Sequence, residues 1–92
     1  RDDRNFSDSD VQAVWEKGQL IPGWSPAEWR RDACGAAIKR TEHGVLSDHG
    51  WEIDHIIPAA KGGSDALSNL QPLQWKNNRS KSDGPLVCVV PS

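Results

Sequence analysis

Val11, Val14 and Trp15 share one stripe at helical spacing, and Ser7-Asp8-Ser9-Asp10 ahead of them offers capping oxygens and negative charge for a first turn. With Gly18 as a stop, the pattern predicts a helix over residues 8–17. A Pro22-Gly23 turn follows. Ser25-Pro26-Ala27-Glu28 then has the Ser and Glu of a capping box with Pro at the first helical position, which predicts a short helix over 26–32. Residues 36–40 read as a strand and 41–50 as a polar loop.

Trp51-Glu52-Ile53-Asp54-His55-Ile56 alternates apolar and polar positions, as a half-buried strand does. The alternation sends Glu52 and Asp54 to one face and Trp51, Ile53 and His55 to the other, with Glu52 expected to face solvent. Residues 59–69 contain Gly62-Gly63 and read as a structured loop. Leu70 to Gln74 suits a second strand, with Pro72 marking an edge, and Trp75 to Lys81 a short helix ended by Ser82-Asp83-Gly84-Pro85. Leu86 to Val90 is β-branched and uncharged and reads as a closing strand.

These elements describe an α+β domain, and 92 residues support one core only. Residues 1–35 are expected to form a helical extension packed on a core of residues 36–92. The longest uncharged stretches, Gly18 to Ala27 and Ala66 to Trp75, run ten residues each, and the tail from Gly84 is shorter still, all far short of the roughly 20 residues of a membrane span. The start, Arg1-Asp2-Asp3-Arg4, lacks an initiator Met and an apolar export segment, so the chain reads as trimmed and cytoplasmic. Cys34 and Cys88, 54 residues apart, have no Cys-x-x-Cys spacing and read as two buried free thiols.

The net charge of −2 removes global basicity as a sign of nucleic-acid binding. Its distribution restores part of that sign. Between Lys61 and Asp83, the cations Lys61, Lys76, Arg79 and Lys81 outnumber the anions Asp65 and Asp83, so a polyanion would meet this segment. It also carries the side chains with chemistry. Asp54 and Asn78 are an oxygen pair suited to one hard divalent cation with open positions, and His55 can take a proton from water near neutral pH. His43 and His49 read as solvated loop residues, and Trp15, Trp24, Trp29, Trp51 and Trp75 as core.

Residues 51–58, Lys61-Gly62-Gly63-Ser64-Asp65, Leu67-Ser68-Asn69-Leu70-Gln71 and Asn78-Arg79-Ser80-Lys81-Ser82-Asp83 together resemble HNH endonucleases. The 14 positions from His55 to Asn69 and the nine from Asn69 to Asn78 are similar to the HNH nuclease domain of CRISPR effectors. Residues 29–36 resemble small stand-alone bacterial HNH proteins. The resemblance implies a ββα-metal fold with N-terminal helices that hydrolyses DNA phosphodiester bonds. It implies Asp54 as the metal-binding acid, His55 as general base, Asn69 as the residue that fixes the loop and orients the His, and Asn78 as second metal ligand.

This chain departs from the family pattern in two places. Asn78 stands where many members carry His, which favours magnesium or manganese over nickel or zinc. Gln74 and Asn77 stand where one of two zinc-binding Cys-x-x-Cys pairs would fall, so no structural zinc is expected and tryptophan packing is expected to replace it. Lys61, Lys76, Arg79 and Lys81 are the expected phosphate contacts. The expected partner is DNA and not a membrane, and the acidic balance leaves room for a protein partner or a second copy to add affinity. The rival reading is a DNA-binding or assembly module that keeps the fold without the chemistry.

Overall fold

The computed structural model describes residues 6–91; Arg1 to Arg4, read above as a trimmed start, and Ser92 lie outside them. Helix α1 spans Asp8–Trp15 and opens with a complete capping box, the Ser7 hydroxyl accepting from the Asp10 N–H and the Asp10 carboxylate accepting from the Ser7 N–H. It stops two residues before the expected end. Strands β1 (Trp29–Arg31) and β2 (Ala37–Lys39) pair antiparallel, as do β3 (Trp51–His55) and β4 (Leu70–Gln74), and α2 (Trp75–Lys81) continues directly from β4. The result is a small α+β fold of two helices and two antiparallel hairpins among the described residues, with β3, β4 and α2 forming the ββα unit.

Two of the expected elements do not form. Residues 26–32 are not a helix: one turn closes where the Glu28 and Trp29 N–H groups donate to the Ser25 carbonyl, and the chain then becomes β1. The Arg31 backbone exchanges hydrogen bonds with Gln19 on one side, and β1 pairs with β2 on the other. Partners on both edges outweigh a helix too short to be stable alone. Residues 86–90 are not a strand either. The N–H groups of Val89 and Val90 donate to Asn77 Oδ1, so a side chain takes the place of a neighbouring strand.

The core lies between α1 and one face of the β3–β4 hairpin. Val11, Val14, Trp15, Ile38, Trp51, Ile53 and Leu70 form one buried cluster, with Phe6 packed against it. Trp15 and Trp51 meet at 5.3 Å between ring centroids, a tilted contact worth about 0.5–1.5 kcal/mol beyond area burial. Their indole N–H groups donate to the Pro26 and Lys39 carbonyls. Trp24, by contrast, is exposed and has edge contact with Trp29. The loop histidines also pack: His43 against Trp51 and His49 edge-on to Trp29.

Cys34 and Cys88 are joined in a disulfide, which overturns the free-thiol expectation. Beside it lies a buried polar knot. Asp32 Oδ1 accepts from the Cys34 and Ala36 N–H groups, while Oδ2 accepts from the Gln74 N–H and Asn77 Nδ2. Asn77, with no solvent exposure, also donates to the Val90 carbonyl. Gln74 and Asn77, the two residues at the expected Cys positions, thus hold β4 and α2 to the Asp32 loop and the C-terminal tail. This knot and the disulfide share the bracing role expected of tryptophan packing.

Candidate functional site

The face of β3 opposite the core carries Glu52 and Asp54, and α2 covers it. Glu52 is therefore not solvent-facing but 7% exposed. Its Oε1 accepts from Asn78 Nδ2 at 2.9 Å and its Oε2 pairs with Arg79 at 3.1 Å. Asp54, 4% exposed, accepts from Gln71 Nε2 at 2.9 Å, its partner across the β3–β4 ladder. Its other oxygen lies 3.3 Å from the Lys81 ammonium, itself only 5% exposed and donating to the His55 carbonyl. Each carboxylate on this face thus has a cation and a carboxamide as partners, which compensates its burial.

Asp54, His55, Asn78 and Asp83 line one cleft of about 400 Å³, together with Pro58 and Ala59 at the start of the following loop. Asn69 is not among the residues that line it, and its side-chain hydrogen bonds go to the loop and not to the His55 ring. Its carboxamide braces the intervening loop, Oδ1 accepting from the Ile57 N–H and Nδ2 donating to the Ile57 and Ser64 carbonyls. Gly63 sits so close that a Cβ there would fall 1.7 Å from the Ile57 carbonyl oxygen, and Gly62 adopts φ 91°, so the Gly-Gly pair is required by the turn. The His55 ring instead meets Asp65, Nε2 to Oδ1 at 2.6 Å.

The four cations proposed for phosphate contact separate into two environments. Lys61, Lys76 and Arg79 are exposed, the last two lying over the Trp75 ring. Lys81 is inside, against Asp54. Among the described residues, no group of three or more His, Cys, Asp or Glu side chains is arranged to hold a metal ion, and both cysteines are consumed by the disulfide.

The family model described as HNH endonuclease matches residues 33–84, more than half of the 92. The chain belongs to the HNH endonuclease family. Searches of the curated proteins and of the solved structures return no match. HNH endonucleases act on DNA and generally use a divalent metal ion, so membership brings with it a nuclease-type chemistry. The matched segment begins one residue before Cys34 and ends just after Asp83, enclosing every residue of the cleft. Among the described residues, no helix is long and apolar enough to cross a membrane.

Sequence reasoning missed three contributors: Asp65 at the His55 ring, Lys81 as the partner of Asp54, and Glu52 as the partner of Asn78. One signal was present for Glu52. A strand with acids at alternate positions, followed in the chain by a helix bearing Asn78, Arg79 and Lys81, brings complementary charges to one face.

Proposed function

We propose that this HNH protein is a metal-dependent endonuclease that hydrolyses DNA phosphodiester bonds, with His55 as general base and Asp54 and Asn78 as the ligands of one divalent ion. The observation that carries the reading is the convergence of these three side chains on a single cleft. The donor set fits a hard cation. Asn78 gives its Nδ2 to Glu52, which leaves Oδ1 as its ligating atom, and Asp54 contributes a carboxylate. Two oxygen ligands without sulfur or imidazole favour magnesium or manganese over zinc or nickel. A bound ion of this kind neutralises charge on the phosphate and on the departing oxygen.

The protein's own side chains supply the remaining functions. His55 takes a proton from the attacking water as the new oxygen–phosphorus bond forms, a contribution of about 10²–10⁴ in rate. Lys81, its ammonium anchored on the His55 carbonyl, holds the Asp54 carboxylate in place at the cleft. Exposed Lys61, Lys76 and Arg79 position the DNA backbone without reading its sequence. Arg79 is already paired with Glu52 and Lys81 with Asp54, so DNA affinity is expected to be modest and salt-sensitive. Residues 36–92 are the nuclease core in this reading, and residues 1–35 its brace.

The Cys34–Cys88 bond supports action in an oxidising compartment in preference to the cytoplasm, where such bonds are kept reduced. One observation favours the non-catalytic rival: Lys81 already supplies a positive charge at Asp54. Supercoiled plasmid incubated with the protein and magnesium, manganese, nickel or zinc distinguishes the two. The nuclease converts plasmid to nicked or linear form in wild type but not in Asp54→Ala. No conversion with any ion by a folded protein overturns the reading in favour of the rival.

A further inference from the structure

Resting on that reading, we propose that Asp65 is a positioning residue for the reaction, holding the His55 imidazole by its Nε2–H so that Nδ1 presents its lone pair to the attacking water. Asp65 Oδ1 lies 2.6 Å from His55 Nε2, and the carboxylate is 75% exposed. A contact with so exposed a carboxylate contributes little to stability, about 0–1 kcal/mol. Its consequence is therefore orientation. In an imidazole, the hydrogen bond made by one nitrogen decides which nitrogen carries the proton, and a carboxylate can only accept. With Nε2–H committed to Asp65, Nδ1 is the basic nitrogen.

The loop between β3 and β4 is built to deliver this contact. The Ile56 N–H donates to the Asn69 carbonyl, and the Asn69 side chain grips Ile57 near the start of the loop and Ser64 within it. The Gly63 N–H donates to the Pro58 carbonyl, and the absent side chain at Gly63 lets the backbone pass against Ile57. Ser64 Oγ then accepts from the Ala66 N–H, closing a turn around Asp65. Asn69 orients the histidine through the loop: it fixes the loop, and the loop carries Asp65 to the ring. In the cleavage step the water proton passes to Nδ1, the oxygen–phosphorus bond forms, the ester bond to the leaving oxygen breaks, and that oxygen takes a proton from solvent. Asp65 accepts from Nε2–H throughout and keeps the ring in place while Nδ1 takes up the proton.

The test compares wild type with Asp65→Ala and Asp65→Asn by plasmid cleavage kinetics and by the ring nitrogen and proton resonances of His55. Asp65→Ala is expected to lower kcat about 10–100-fold, the usual loss for a partner of this kind, with KM and melting temperature unchanged. Its His55 ring resonances shift. Asp65→Asn, whose carboxamide oxygen still accepts from Nε2–H, is expected to return the resonances toward wild type and recover part of kcat. Ring resonances identical in wild type and Asp65→Ala overturn the proposal, as does an unchanged kcat. If wild type cleaves nothing yet the resonances shift, the nuclease reading and the positioning role in it fall together, while the Asp65–His55 contact stands.

Discussion

Replacing Cys34 and Cys88 together by alanine opens a loop that closes across 54 residues and contains the whole of β3, β4 and α2. In the chain-entropy account, closing a loop of that length removes about 14 cal/mol/K from the unfolded chain, or about 4 kcal/mol at 25 °C. The tail has a second anchor, since Asn77 holds Val89 and Val90, so the folded state keeps its shape when the bond is lost. The loss therefore falls on the unfolded side of the equilibrium. For a chain of this size each kcal/mol moves the melting temperature by about 4–8 °C, which predicts a fall on the order of 15–30 °C. Thermal melts of the double variant, and of wild type with and without a reductant, measure it. Thiol titration of the untreated protein should find no reactive sulfhydryl in the native state. Two reactive thiols, or a double variant that melts with the wild type, would refute the reasoning.

Asp32→Ala strips acceptors from four donors in a buried knot, at about 1–3 kcal/mol for each one left unsatisfied, so urea denaturation should show a loss of at least about 3 kcal/mol. Gly63→Ala forces the loop away from the Ile57 carbonyl and should cost about 1–3 kcal/mol in the same assay while depressing cleavage through a displaced Asp65. Lys81→Met leaves the Asp54 carboxylate buried without its cation, a change of about 3–5 kcal/mol. Magnesium should raise the melting temperature of Lys81→Met more than that of wild type, and an equal response would contradict the assigned ion site.

Much of this fold was legible from local pattern. The capping residues before Val11, the alternation from Trp51 to His55 and the run from Trp75 to Lys81 each define an element from its own neighbours, and α1, β3 and α2 form there. What was not legible depends on residues far along the chain. The segment around Trp29 carries strong helix-opening residues, yet Gln19 and Ala37–Lys39 offer it strand partners. Leu86 to Val90 has strand composition, but Cys34 and Asn77 claim the tail first.

The candidate site divides in the same way. His55, Asp54 and Asn78 were visible through side-chain type and spacing, and the cleft brings them together. The contribution of Asp65 depends on how the Gly62-Gly63 turn folds back, and a charged residue in a polar loop gives no sign of that by itself. Glu52 and Lys81 would ordinarily be surface charges. They are buried because each meets its counterpart when α2 closes over β3.

The central claim is that His55 performs chemistry on a phosphodiester while Asp54 and Asn78 hold an ion. The most direct measurement is the single-turnover cleavage rate of His55→Ala at an ion concentration shown by calorimetry to saturate both it and wild type. The account predicts that His55→Ala binds the ion with nearly wild-type affinity and cleaves about 10²–10⁴-fold more slowly. A saturated His55→Ala variant that cleaves as fast as wild type would contradict it.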